Sequence, residues 1–213
     1  MATAPLTTIS AGEMLAFFFL LLGPIKILGP FVKLTRGAEP RFGRQLAIRG
    51  ILLAAGALGA AAIVGEKFLD NFRIGLPVLA ITGGLILFLA AMDTVMQQFR
   101  GPAGADAKDL PLSLSLAVSP LAFPTIVTPS GIAAVIIFVT LSPDLAGKLT
   151  IGLLLLVILI LDLIAMLYAR AILKWLALPL YILGVVLGVI QVALGLNIIL
   201  VNLSRIGVFT MVT

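Results

Sequence analysis

The sequence predicts an all-α polytopic membrane protein with six transmembrane helices, arranged as two inverted three-helix repeats in which the first helix of each half is discontinuous. Three observations support this fold class: the composition, the number of apolar segments, and proline-rich interruptions at corresponding positions of the two halves. Of 213 residues, 62% are hydrophobic and 11% are charged. Soluble chains have about 45–50% apolar and about 25% charged residues, so an ordinary soluble domain is excluded.

Six apolar segments are each long enough to cross a hydrocarbon layer of about 30 Å as a helix. They cover roughly residues 12–34, 46–65, 75–97, 113–141, 145–169 and 178–203. The hydrophilic breaks between them lie at 36–44, 66–73, 99–109, 142–148 and 169–175. The third break is the least apolar, which predicts a first repeat at 1–98, a linker loop at 99–112 and a second repeat at 113–213.

The basic residues of the loops predict the orientation of the chain in the membrane. Nine Lys and Arg residues lie in or near loops one, three and five, and four lie on the opposite side. Loops enriched in Lys and Arg stay in the cytoplasm. We therefore expect a multi-pass protein of the inner (plasma) membrane with both termini extracytoplasmic.

Paired prolines and glycines interrupt the first span of each half, in GPIKILGP at 23–30 and in SPLAFPTIVTPSG at 119–131. Proline removes a backbone donor and clashes with the preceding turn, so these stretches are expected to unwind. The third spans also correspond, because Asp93 follows Gly84 by nine positions and Asn197 follows Gly188 by the same interval. Odd numbers of spans in two related halves produce an inverted repeat, which is typical of secondary transporters.

Unwound backbone at membrane depth is tolerated where it is buried in protein or lines a cavity. Its free carbonyls suit an ammonium group, and the N-terminus of a half-helix suits a carboxylate, so a zwitterion fits both. The alternative is a pair of kinks that only shape packing. The predicted substrate-binding residues are Gly23, Pro24, Lys26, Gly29, Pro30, Pro124, Thr125, Thr128, Pro129, Ser130 and Gly131.

Asp162, Asp93 and Asn197 are the candidates for ion coupling. Asp162 lies among Leu and Ile in span five, where a charge is costly and needs a partner or a wet cavity. It is either protonated or paired with Lys26, and a structural hydrogen bond is the other interpretation. Lys26 could instead extend towards an interface. Asp93 is closer to a span end, where a solvated position is expected.

Several classes of function are disfavoured by composition. The chain has no Cys and no His, so we expect no catalytic triad, no metal site and no cofactor. Its basic residues lie in short gaps between apolar runs, which indicates topology and not a nucleic-acid interface. The expected partners are a small-molecule substrate and the lipid bilayer. Small residues at 50–65 predict close helix packing, within the bundle or in a homo-oligomer.

Three stretches resemble the MarC family of integral membrane proteins, whose members are described as small neutral amino acid transporters within the LysE-type superfamily. They are LLLGPIKILGPFVKLTRGAEPR at 20–41, RIGLPVLAITGGLILFLAAMD at 73–93 and SPLAFPTIVTPSGIAAVII at 119–137. The chain resembles a divergent member. Gly23 replaces the Asn or Asp that usually precedes the first proline, Lys26 and Ile27 replace Gly and Asn, and Thr128-Pro129-Ser130 replaces Gly-Pro-Gly.

The resemblance and the interruptions together predict a secondary transporter of small polar solutes, with neutral amino acids as the implied substrates. Alternating access of the two halves, coupled to protons or sodium, is the expected mechanism. The chain contains no nucleotide-binding loop of the Gly-x4-Gly-Lys-Ser/Thr type. Two alternatives are an intramembrane enzyme that uses Asp93 and Asp162 as a carboxylate pair, and a membrane scaffold without transport. A meeting of the two interruptions would favour transport, and a meeting of the two carboxylates would favour the enzyme.

Overall fold

A computed structural model describes residues 10–99, 113–142 and 144–209, and within these ranges the chain is helical without a strand. The helices are α1 (Ala11–Leu22), α2 (Ile25–Leu34), α3 (Pro40–Asn71), α4 (Leu76–Phe99), α5 (Pro129–Leu141), α6 (Leu145–Leu167) and α7 (Ala169–Arg205). The described residues contain five spans long and apolar enough to cross a membrane, or six when the bent stretch Leu114–Leu141 counts as one. An all-helical polytopic membrane protein is confirmed at this level.

The first span breaks between α1 and α2, where Gly23 and Pro24 separate the two helices. Ser10 and Glu13 form a capping box that starts α1. The fixed φ of Pro24 suits the residue that opens a helix, so α2 resumes at Ile25. The expectation of an interruption as far as residue 30 was therefore wrong. Lys26, Gly29 and Pro30 lie within α2, because one proline removes only one donor and the helix continues past it.

The first span of the second half is also broken, and its two parts are bent by 64°. A 3₁₀ turn (Leu114–Ala117) leads into an irregular helical segment (Val118–Ile126), called the kinked segment below, whose backbone is non-helical at Ser119 and Phe123. Thr128 caps α5 by accepting a hydrogen bond from the Gly131 N–H at 3.1 Å, and Pro129 occupies the first turn. The predicted linker at 99–112 lies outside the described residues, apart from Phe99 at the end of α4.

Two helices extend through predicted hydrophilic breaks. Helix α3 continues to Asn71, and the break expected at 169–175 forms the first turns of α7. Those predictions used polarity alone, but ARAILKW contains neither Gly nor Pro, and its residues support a helix. The change of direction occurs at Tyr168, between α6 and α7, and at Leu176, where the backbone is non-helical.

Polar contacts join the two halves at each end of the bundle. The Glu66 carboxylate and the Lys148 ammonium form an ion pair of 2.7 Å, which places loops two and four at one end. Arg170 donates from Nη2 to the carbonyls of Thr35 at 2.8 Å and Ala38 at 3.1 Å, so α7 begins beside loop one at the other end. These are called the loop-two end and the loop-one end below.

Helices α4 and α7 form the most extensive interface of the described residues. Their backbones approach closely because glycines face each other: a Cβ atom at Gly195 would lie 2.8 Å from the Gly84 carbonyl oxygen and 2.7 Å from the Phe88 nitrogen. Gly188, seven residues before Gly195 in α7, packs on Val95, seven residues after Phe88 in α4. The two helices are therefore antiparallel. Small residues allow such an approach in a membrane, where packing supplies much of the association energy.

Most of the other contacts between elements occur in pairs, in which a contact made by the first half corresponds to one made by the second half. Helix α1 contacts α6, and the kinked segment contacts α3. Helix α2 contacts α6 and α7, while α5 contacts α3 and α4. Helix α1 also contacts α5, and α2 contacts the kinked segment. The broken first span of each half therefore packs against the helices of the other half.

Candidate functional site

The two helix breaks meet inside the bundle. Leu22, the last residue of α1, packs on Gly131, so that a Cβ atom at Gly131 would lie 3.1 Å from Leu22 Cγ. Phe18 supports this contact from α1, with its ring 5.3 Å from that of Phe138 in an edge-to-face arrangement. The two interruptions therefore meet where Leu22, at the end of α1, contacts Gly131 in the first turn of α5.

Pro24 frees a carbonyl at the first break, and another helix satisfies it. In a continuous helix the N–H of residue 24 would bond to the Leu20 carbonyl, but proline has no N–H. The Gln191 amide of α7 donates from Nε2 to the Leu20 oxygen instead. Next to it, Lys26 Nζ lies 3.4 Å from the Leu21 carbonyl. The break thus gathers an amide, an ammonium and two carbonyls in a half-buried position.

The second break contributes hydroxyl groups. Thr128 Oγ1 and Ser130 Oγ are 3.3 Å apart, and Ser130 is buried. Thr125 donates from Oγ1 to the Pro120 carbonyl at 2.7 Å, which ties the end of the kinked segment to its start. Pro129 itself is exposed, as is Pro124. The N-terminus of α5 and its two hydroxyls therefore form the polar part of this break.

Asp162 is the most unusual buried group of the described residues. Its side chain in α6 is 0% exposed, and neither carboxylate oxygen has a hydrogen-bond partner among the described residues. The proposed pairing with Lys26 is absent, because the Lys26 ammonium points to the Leu21 carbonyl. A buried carboxyl without a donor is costly when ionised, so this group depends on protonation or on access to a further ligand.

The other two coupling candidates lie elsewhere. Asp93 on α4 and Asn197 on α7 both have exposed side chains, although their helices form a common interface. The exposed position of Asp93 agrees with its predicted place near a span end. Gly29 and Pro30 lie further along α2, where a Cβ atom at Gly29 would meet nothing within 4 Å. The structure does not bring these four residues to the meeting point of the breaks.

A small void lies beside the breaks, and larger cavities lie towards each end of the bundle. A void of about 30 Å³ is lined by Leu21 and Ser130, beside the two breaks. It shares Phe17, Ala80, Ala134, Ile137 and Ile198 with a cavity of about 370 Å³ whose rim at the loop-two end carries Asn202 and Arg205. A third cavity of about 210 Å³, lined by Arg44, Arg170 and Met166, lies at the loop-one end.

Gln191 was not among the predicted site residues. It is a buried amide, 4% exposed, in an otherwise apolar part of span six. The available signal was Pro24 itself, since every proline within a span leaves the carbonyl four residues earlier in need of a donor. A search for polar side chains in the other spans would have selected Gln191, although its pairing with Leu20 depends on how the helices pack.

The chain matches the family model described as "MarC family integral membrane protein" over residues 9–206. It is 29% identical over 147 residues to the Escherichia coli K12 "UPF0056 inner membrane protein YhgN", which covers 69% of this chain and 71% of that protein. It is 28% identical to a "UPF0056 membrane protein" of Archaeoglobus fulgidus over 66% of this chain and 70% of the relative. A relative from Methanocaldococcus jannaschii, "UPF0056 membrane protein MJ1677", is 28% identical over 87% of this chain and 93% of its own length.

No solved structure matches the chain. The family model extends over both broken spans and over the helices that pack against them. The match to the family model and the polytopic helical fold agree with the resemblance of the three proline- and glycine-rich stretches to the MarC family. The chain belongs to the MarC family of integral membrane proteins.

Proposed function

We propose that this protein is a secondary transporter of small polar solutes, with neutral amino acids as the first candidates, and that it works by alternating access. The observation that carries the proposal is the meeting of the two helix breaks at Leu22 and Gly131, in a bundle that has a cavity towards each end. Discontinuous helices that meet in the bundle interior are the usual binding elements of secondary transporters.

The matching contacts between elements support an inverted repeat. Exchanging the halves maps α1 onto the kinked segment, α2 onto α5, α3 onto α6, and α4 onto α7. Under this exchange the contact of α1 with α6 becomes that of the kinked segment with α3, and the contact of α2 with α7 becomes that of α5 with α4. The antiparallel α4–α7 interface maps onto itself. The two halves can then rock against each other about a site that stays near the centre.

The cavities support a closed site that opens towards one side at a time. The central void beside Leu21 and Ser130 has a volume of only about 30 Å³, which suits water and is too small for an amino acid. The neighbouring cavity at the loop-two end, at about 370 Å³, falls within the usual range for small-molecule sites. A substrate that enters this cavity reaches the two breaks only when Leu22 and Gly131 move apart.

The polar groups at the breaks support recognition of a solute with charged and polar ends. The Lys26 ammonium and the N-terminus of α5 favour a carboxylate, and the carbonyls of Leu20 and Leu21 favour an ammonium. The hydroxyls of Thr128 and Ser130 add donors and acceptors. Gly23, Pro24 and Gly131 allow the backbone to open here.

Asp162 supports coupling to protons. Met166, four residues later and about 6 Å along α6, lines the cavity at the loop-one end. A carboxyl without a partner next to such a cavity can exchange a proton when a small opening admits water. The positive-inside count assigns the loop-one end to the cytoplasm, so this proton would be released there. A sodium ion is the other coupling ion to be tested.

The described side chains favour transport over the intramembrane-enzyme alternative. A carboxylate pair would have Asp93 and Asp162 within hydrogen-bonding reach, but the Asp162 oxygens have no hydrogen-bond partner among the described residues, and Asp93 is exposed. The transport proposal uses the same buried carboxyl and also accounts for both helix breaks.

Uptake into proteoliposomes tests the proposal. Purified protein is reconstituted, and labelled glycine, alanine, aspartate and lysine are offered with a proton gradient, with a sodium gradient and with neither. We expect gradient-dependent accumulation of glycine or alanine above that of protein-free liposomes. Absence of accumulation and of counterflow for all four solutes, with correctly folded protein in the vesicles, would reject amino acid transport.

A further inference from the structure

A large apolar cavity lies away from the helix breaks, between α3 and α6. It has a volume of about 510 Å³. It lies in the cleft between two helices that are both long and apolar enough to span the membrane. It is called the α3–α6 groove below. Its lining includes Ala55, Leu58, Gly59, Ala62, Leu155 and Leu159.

The groove is apolar along its length and opens at the side of the bundle. Leu58 and Leu155 are buried and form its floor, whereas Gly59, Gly152 and Leu149 on its walls are exposed. A Cβ atom at Gly59 or Gly152 would meet nothing within 4 Å, so the glycines leave the groove empty of protein. Water gains few hydrogen bonds in such a space, whereas hydrocarbon fills it favourably.

The charged lining residues of the groove lie at one end only. Lys148 is held by its 2.7 Å ion pair with Glu66, and Lys67 lies beside Glu66 with an exposed side chain. Within the described residues, Lys67 has no ion pair or hydrogen bond. The groove lining itself therefore carries two ammonium groups and one carboxylate at this end, a net positive charge that complements a phosphate.

The length of the groove matches one leaflet of a bilayer. Ala55 and Lys67 are twelve residues apart on α3, which corresponds to about 18 Å of helix. Half of a hydrocarbon core of about 30 Å is about 15 Å. The charged end at Glu66 and Lys67 therefore lies at headgroup depth when the apolar end at Ala55 is near the middle of the bilayer.

We propose that the α3–α6 groove binds one phospholipid, with an acyl chain along Gly59 and Leu155 and the phosphate at Lys67 and Lys148. The shape is that of an amphiphile: apolar for the length of an acyl chain and charged at one end. A second copy of the chain is the competing occupant of the groove, and the experiment below distinguishes it from a lipid. The inference does not depend on transport.

Two leucine substitutions one turn apart test the proposal in the full-length protein. Gly59→Leu fills the groove, and Gly56→Leu is the matched control, because a Cβ atom at Gly56 also meets nothing within 4 Å but Gly56 does not line the groove. Dioleoylphosphatidylglycerol is titrated onto the detergent-purified protein, and binding is measured by native mass spectrometry and by the shift in melting temperature. We expect one tightly retained lipid in the wild type and in Gly56→Leu, and binding weakened roughly tenfold in Gly59→Leu.

The charged end is tested with Lys67→Gln, compared with Lys33→Gln at the opposite end of the bundle. The first variant should weaken lipid binding several-fold and the second should not. Glycerol 3-phosphate, which has the phosphate without the acyl chains, should produce no shift. An equal loss of lipid binding in Gly56→Leu and Gly59→Leu would indicate that the lipid is ordinary annular lipid, and this result would overturn the proposal. A dimer that Gly59→Leu dissociates, without a change in lipid binding, would assign the groove to a second copy and also overturn it.

Discussion

Leu22 and Gly131 are in van der Waals contact across the bundle, and they link the two broken spans. Leu22 ends α1, directly before Gly23 and Pro24, and Gly131 lies in the first turn of α5, directly after Thr128. A Cβ atom at Gly131 would be 3.1 Å from Leu22 Cγ and closer still to Cδ2. A methyl group at this position would have to displace the buried Leu22 side chain, so the close contact between the two breaks depends on the glycine.

Gly131→Ala should force the two breaks apart. The added methyl group meets a buried leucine whose neighbours are packed, so we expect a loss of stability of about 1–3 kcal/mol. Thermal unfolding of the purified protein measures this loss, and the uptake assay should show reduced transport. The double variant Gly131→Ala/Leu22→Ala removes the clash with Leu22 and should recover part of the transport activity. If transport in the double variant stays at the level of Gly131→Ala, the contact does not control the site.

Gly29→Ala is the control for this pair, since a Cβ atom at Gly29 meets nothing within 4 Å and the residue lies inside α2. We expect this variant to retain transport and to gain stability of about 0.5–1 kcal/mol, because alanine favours a helix interior more than glycine does.

Gln191→Leu should leave the Leu20 carbonyl without a donor, because Pro24 cannot supply one. A buried acceptor that loses its partner costs about 1–3 kcal/mol, which thermal unfolding in detergent would detect. In a Pro24→Ala background the backbone N–H of residue 24 is restored and can bond to the Leu20 carbonyl. The effect of Gln191→Leu should then be smaller, and a double-mutant cycle measures the difference. Equal effects in both backgrounds would show that Gln191 acts through packing alone.

Asp162→Asn should abolish the pH dependence of transport while preserving the fold. The amide has the shape of the carboxyl but cannot carry a proton between the two sides, and it removes the cost of a buried charge. Initial uptake rates measured from pH 5 to pH 8 with and without a gradient provide the comparison with the wild type. Counterflow exchange of substrate should persist in the variant. An unchanged pH profile would remove Asp162 from the coupling mechanism.

Gly195→Ala should weaken the α4–α7 interface, since its methyl group would lie 2.7 Å from the Phe88 nitrogen and 2.8 Å from the Gly84 carbonyl oxygen. Both atoms belong to the backbone, so relief requires a shift of the whole helix, and a loss of about 2 kcal/mol or more is expected. Gly184→Ala on the same helix is the matched control, because its Cβ atom would meet nothing within 4 Å. Similar melting temperatures for the two variants would contradict the close helix approach.

The helical fold was predictable because hydropathy and span length depend only on the order of residues along the chain. The break at Gly23 and Pro24 and the cap at Thr128 were also local, since proline lacks a donor whatever surrounds it. The predicted hydrophilic break at 169–175 separates two spans, which end at Leu167 and begin at Leu178. Its residues are nevertheless helical, because polar residues such as Arg170 and Lys174 do not stop a helix when no glycine or proline accompanies them.

The amino-acid sequence by itself determined that this chain lies in a membrane, that its first and fourth spans are broken, and that Asp162 is an acid within an apolar span. The tertiary structure alone decided that Leu22 packs on Gly131, that Gln191 satisfies the carbonyl freed by Pro24, and that Lys26 is directed to Leu21 and not to Asp162. The reason is physical. A missing backbone donor is a local property of proline, whereas the group that replaces it comes from whichever helix packs nearby, and that depends on how all the spans fit together.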